Sequence, residues 1–348
     1  MDYDLITFGE AMVRLSPPGH MRLEQADRLE MTVGGAEWNV AVNAARLGLR
    51  SAWVSRLVDN WTGRLIVEHA RRHGVDTSHV VWAPFDGVGR VRNGFYHLEI
   101  GVGPRASAVT YDRGHTAVME MTASMADWAG LLSRCRWLHV SGITPALSPV
   151  LAETVVEVFG LARAAGARVS YDLNYRGKLW TPEEARRANE RIVPLVDVLI
   201  GNEEDFEKCL GLSAGSADES YSALDPENYK AVVRQAVKQY PNLRMVGTTL
   251  RDAKTGLLND WRTLLFDGKD FHLSRVYENL EIVDRVGGGD SYASAIIWGL
   301  LNETAPAEAC EFAAAYSALA HTFPGDINWA TPAEATRVIS AAGARISR

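Results

Sequence analysis

Three cysteines are too few and too scattered to organise this chain. Cys135, Cys209 and Cys310 form no C-x-x-C pair, so the sequence suggests neither a disulfide framework nor a structural zinc site. Long apolar runs are missing, and Met1-Asp2-Tyr3-Asp4 leads directly into Leu5–Phe8 without a basic, then apolar, leader. A reducing, cytoplasmic setting with no membrane partner is the expectation. Dense basic segments are absent too, and the formal net charge of -7 argues against a nucleic-acid partner, whose phosphates require clustered Lys and Arg. The sequence contains no G-x-x-x-x-G-K-[ST] loop, no H-R-D with D-F-G, no H-E-x-x-H, and no G-x-G-x-x-G after the first apolar run. These absences exclude P-loop, protein-kinase and zincin readings, and they weaken that of a dinucleotide oxidoreductase. The nine histidines are scattered and read as surface or core residues.

What is present is ordinary globular material: 348 residues, 47% hydrophobic and 23% charged, enough for one large α/β domain or two smaller ones. Short apolar runs predict strands at Leu5–Phe8, Ala52–Leu57, Trp137–Ser141, Arg168–Asp172, Val196–Ile200, Met245–Thr249 and Thr263–Phe266. Helical patterns lie between them at Glu37–Leu47, Thr62–His73, Val150–Ala165, Pro182–Val193 and Pro226–Gln239. Ser148-Pro149 and Thr181-Pro182 are start signals and Gly166 is a stop. Such alternation implies a mostly parallel sheet with helices on both faces. Arg22–Val33 and Gly94–Tyr111 break the rhythm with strand-like pieces lacking a helix between them. They fit antiparallel strands projecting from the core, read either as a flap over a site or as an irregular surface excursion.

Two stretches carry chemistry. In Glu281–Ser291, a short strand is expected to end in Gly287-Gly288-Gly289, with a helix following at once and Asp290 behind the glycines. Unpaired N–H groups at a helix start attract phosphate, and glycines let the backbone approach it. A carboxylate behind that cradle is placed to accept a proton from an attacking hydroxyl. The bland alternative is a glycine turn with Asp290 as a cap. Val33–Ala41 sets Gly34 and Gly35 before a helix, with Asn39 one turn in to meet a ligand or, alternatively, to face solvent.

Together these stretches resemble the ribokinase-like (PfkB) carbohydrate kinases, which pair an N-terminal GG-x-x-x-N-x-A segment with a C-terminal D-x-x-G-x-G-D. Arg14–Gly19, Ser141–Pro149, Asp172–Arg176 with Leu179-Trp180, and Val283–Asp290 look like 2-keto-3-deoxygluconate kinases. The resemblance implies a three-layer α/β/α sandwich with a mostly parallel sheet, one domain over residues 1–348, and a small β-sheet lid from about 11–34 and 86–113. It implies Asp290 as base and Gly287, Gly288 and Gly289 as anion hole. Substrate contacts would come from Gly34, Gly35, Asn39, Tyr96, Tyr111, Arg113, Ile143 and Arg176. ATP contacts would come from Asn202, Thr249, Arg251, Gly287, Gly289, Gly325 and Asn328, with Mg²⁺ organised indirectly by Asp205 or Glu204. The expected partners are a small sugar or sugar acid and a second copy of the chain docked through the lid. The expected reaction is ATP-dependent phosphorylation of 2-dehydro-3-deoxy-D-gluconate at its 6-hydroxyl. A neutral-sugar or nucleoside kinase is the alternative within the family, and a non-catalytic sugar-binding regulator the alternative outside it. The family's N-x-x-E element ends in Asp205 here, and Arg251 stands where many relatives have glycine. His321–Asn328 departs from the usual ribokinase ending.

Overall fold

The computed structural model describes residues 1–213 and 226–340. At its centre six parallel strands run in the order Ser51–Val54, Leu5–Phe8, Trp137–Ser141, Arg168–Asp172, Val198–Ile200 and Met245–Thr255. Leu258–Phe266 then turns back antiparallel, and Phe271–Leu273 and Tyr277–Glu281 both pair with it. Side chains on a strand alternate between faces, so Leu5 and Ile6 enter two different cores. One core packs Pro149–Ala164, Pro182–Ile192, Glu203–Leu210 and Pro226–Gln239 against the sheet. The other packs Ala36–Arg46, Gly288–Leu301, Pro306–Ala320 and Pro332–Ile339 against the opposite face. The result is three layers, with the strands buried on both sides, as their unbroken apolar runs require.

The local signals act as expected. Ser148 Oγ accepts from the Leu151 N–H, Thr181 closes a capping box with Glu184, and Gly166 takes φ +80° after the helix that ends at Ala164.

A second sheet stands apart, ordered Glu30–Gly34, Met12–Ser16, Gly94–Glu99 and Ala108–Asp112. Its outer pairs are antiparallel, but the central pair of Met12–Ser16 with Gly94–Glu99 is parallel, correcting the purely antiparallel expectation. Three further differences have local causes. Ala52–Leu57 is two strands, because the chain breaks at Ser55 and Arg56–Val58 leaves to pair with Val81–Ala83. Met245–Thr255 outruns its apolar start and forms a long hairpin arm with Leu258–Phe266. The strand Tyr277–Glu281 stops well before the glycines, and the helix takes in two of them, starting at Gly288. At the tip of the arm, the Gly256 N–H donates to Gly103 O, joining the main sheet to the turn of the small one.

Candidate active site

A cleft of about 600 Å³ lies between the small sheet and the C-terminal ends of the parallel strands, where open α/β sheets place ligands. Gly35, Asn39, Tyr96, Tyr111, Arg113, Ile143 and Arg176 line it, as do Asn202, Glu204, Asp205, Thr249, Arg251, Gly287, Gly289 and Asp290. Nearly all the residues singled out in the sequence therefore meet in one place.

Asp290 sits in the first turn of the Gly288–Leu301 helix, beside that helix's free N–H groups. Gly287 caps the helix at φ +83°, and a Cβ there would overlap the Asp326 carbonyl, so no other residue fits. A Cβ at Gly289, by contrast, would meet no protein atom, leaving that position open to the cleft. A Cβ at Gly288 would run into the His321 ring, which itself lines the cleft.

The Asn39 amide donates to Asp290 Oδ2 at 2.6 Å and reaches Asp326 Oδ2 at 3.5 Å. It is buried, so the solvent-facing reading of this residue falls. Burial pushes the Asp290 carboxyl up to about 7, against the Asn39 hydrogen bond, and the charges of Asp326 and Glu37 add to the rise. A carboxylate poised near neutrality can both hold and release a proton there. Asp172, at the end of its strand, is raised well above the usual range by burial and then by Asp205 and Asp290.

The two arginines expected at the sugar end differ. Arg113 is buried, and its Nε and Nη2 donate to Glu10 Oε2 at 2.9 and 2.5 Å. The guanidinium also stacks over Tyr111, 5.0 Å from the ring centre. Part of its fork is therefore already committed, to a carboxylate that sequence reading missed. Among the described residues, Arg176 donates only to its neighbour's carbonyl, Tyr175 O, at 2.8 Å. It follows Asn174, held at φ +38°, and that turn carries Arg176 to the cleft.

A scan of family models matches residues 3–333 to the pfkB family of carbohydrate kinases. The chain belongs to that family. A 2-dehydro-3-deoxygalactonokinase of Haloferax volcanii is 36% identical over the full length of both chains. A 2-dehydro-3-deoxygluconokinase of Bacillus subtilis is 27% identical over 94% of this chain and 92% of its own. The crystal structure of the Thermotoga maritima 2-dehydro-3-deoxygluconokinase superposes with a TM-score of 0.91 at 40% identity, covering 97% of this chain and 99% of that one.

Within this carbohydrate kinase, the remaining expected contacts fall into two groups. Asp205 does not face the cleft as an open ligand. Its Oδ2 accepts from the Asn202 N–H and its Oδ1 from the Tyr175 N–H, both at 2.8 Å, while the Asn202 side chain caps the helix in return. Asp205 therefore fixes the turn, while Glu204 beside it lines the cleft. Gly34, Gly325 and Asn328 lie outside the lining. A Cβ at Gly34 would overlap the Asp326 carboxylate and the Tyr96 hydroxyl, and the Gly325 N–H donates to Asp284. Asn328 is fully buried, giving its amide to Tyr316 O and taking the Ala330 N–H, so it ties the segment after the Pro306–Ala320 helix back onto that helix. This corrects its expected place among the adenine contacts.

His321, Trp261 and Arg285 line the cleft near Thr249 and Arg251 without having been singled out. His321 is held neutral, its pKa lowered to about 4 by burial. Its Nδ1 lies 2.8 Å from Ser317 O, so Nδ1 carries the proton and Nε2 is left as an acceptor.

Proposed function

We propose that this kinase transfers the γ-phosphoryl group of ATP to the 6-hydroxyl of 2-dehydro-3-deoxy-D-gluconate in the cytoplasm. The observation that carries the reading is Asp290, raised to about 7, at a helix start and in the same cleft as Arg113 and Arg176. Ionised Asp290 accepts the hydroxyl proton as the sugar oxygen attacks phosphorus, and ADP leaves on the opposite side. N–H groups of Gly287–Gly289 and the helix end stabilise charge on the transferred group. Thr249 and Arg251 flank the nucleotide end, with Arg285 beside them. Glu204 would hold a magnesium ion through water, with Asp205 fixing the turn beside it, and the ion would supply neutralisation of the phosphate charge.

An acid sugar explains the arginines. Its carboxylate must be met by fixed cationic donors once the cleft closes, and Arg176 has its fork turned to no carboxylate among the described residues. The Haloferax relative's name favours a second reading, in which the substrate is the epimeric 2-dehydro-3-deoxygalactonate. A coupled ADP-release assay over both sugar acids and fructose tests the proposal. Preference for fructose would overturn the acid-sugar reading, and no ADP release with any sugar would overturn the kinase mechanism.

Exposed Met21, Leu29 and Met31 on or beside the small sheet support a homodimer formed through the lids. A monomer by sedimentation at micromolar concentration would refute it.

A further inference from the structure

Arg14 lies on a strand of the small sheet, with only 4% of its side chain exposed. Its Nη1 donates to Asp326 Oδ1 at 2.9 Å and its Nη2 pairs with Asp284, whose side chain is 1% exposed. The Tyr96 hydroxyl, from another strand of the same sheet, donates to Asp326 Oδ2 at 2.6 Å. The same oxygen lies 3.5 Å from the Asn39 amide that grips Asp290. Asp284 also accepts the N–H groups of Val286 and Gly325, fixing the backbone that leads into the glycines. A buried guanidinium facing two buried carboxylates is costly unless each group is well paired, and here each is. The mechanism proposed above uses neither Arg14 nor Asp326.

We infer that Asp326 is a positioning residue for the base: held by Arg14 and Tyr96 of the small sheet, it anchors the Asn39 amide against Asp290. The seating of the lid strands is thereby transmitted to the reacting carboxylate through one side chain. Asp326 makes no contact with the transferred group; it acts through Asn39 and through its own charge. This rests on Asp290 being the base. The charged groups facing Asp290 are Asp326 and Glu37, which hold its proton on, and Arg176, which opposes them; Asp172 is itself raised by the Asp290 charge.

The test is the pH dependence of kcat/KM, followed on whichever sugar the parent enzyme turns over. Asp326→Asn removes one negative charge but keeps the shape. The acid limb should move down by about 0.5–2 pH units, as expected for losing a like charge that meets the same Asn39 amide. The plateau kcat should fall about tenfold, with KM for ATP changing less than about twofold. Arg14→Lys keeps the buried positive charge but cannot bridge two carboxylates. It should move the limb the opposite way, upward, and it decides the matter if Asp326→Asn does not fold by circular dichroism. An acid limb unmoved in both variants overturns the inference. Failure of the underlying reading looks different: Asp290→Asn would then keep its turnover.

Discussion

Asp290→Asn separates the catalytic cost of a carboxylate from its folding cost. The amide can still accept the Asn39 hydrogen bond, so the helix start keeps its geometry while the proton acceptor is lost. Turnover should fall by about 10²–10⁴-fold with ATP binding retained. Stability should change in the other direction. Folded Asp290 titrates at about 7, whereas the unfolded side chain titrates at its ordinary 3.8. Between those values the folded state binds more protons, so the group's contribution falls as pH rises through that window and is least favourable above 7. The full difference corresponds to about 4 kcal/mol at pH 8 and about 2 kcal/mol at pH 5.5. Because the carboxylate opens onto the cleft, water there reduces both by roughly half. The Asn variant should therefore be more stable than the parent by about 2 kcal/mol at pH 8 and about 1 kcal/mol at pH 5.5. Urea unfolding at the two pH values measures this. A pH-independent difference, or a variant less stable at pH 8, would refute the reasoning.

The other predictions are shorter. Activity of the parent should rise with pH and level off above about 7, where Asp290 is ionised; a rise centred near pH 4 would assign the limb to another group. Gly287→Ala should cost both stability and activity, because its φ is +83° and the Asp326 carbonyl fills the space, whereas Gly289→Ala should lower activity and leave the melting temperature within a few degrees. Equal melting losses in the two would show that the cleft at Gly289 is not open. Arg176→Ala should lower kcat/KM about 10- to 150-fold on the sugar acid and far less on fructose, since a charge-assisted bond contributes about 1.5–3 kcal/mol. Arg113→Ala is the less clean probe, because it also strands buried Glu10.

Apolar runs made the central sheet legible. Leu5–Phe8, Trp137–Ser141 and Arg168–Asp172 match their expected spans because strands buried on both faces announce themselves by composition. The hairpin arm did not, since residues 251–255 are mostly exposed and mostly polar and owe their extended form to Leu258–Phe266 alongside. Asp290, the glycines and Asn39 were readable as local motifs. Arg14 with Asp284 and Asp326 was not, because residues 270 and 312 positions apart carry no mutual signal in a single sequence. The same holds for Glu10, which takes up part of Arg113 from 103 positions away.

Asn39 and Asp290 meet across 251 residues, and the helices that carry them, Ala36–Arg46 and Gly288–Leu301, pack together against the sheet. The side of the cleft that bears Asn39 is therefore synthesised early and the side that bears Asp290 late. A chain emerging from the ribosome can order its first strands and begin a core, yet it gains no catalytic centre until its last third docks. Contacts so distant in sequence close slowly, because each must overcome the entropy of a long loop. Any break that releases the segment after Leu273 should silence the enzyme while leaving much of one core intact, so that loss of activity precedes loss of secondary structure.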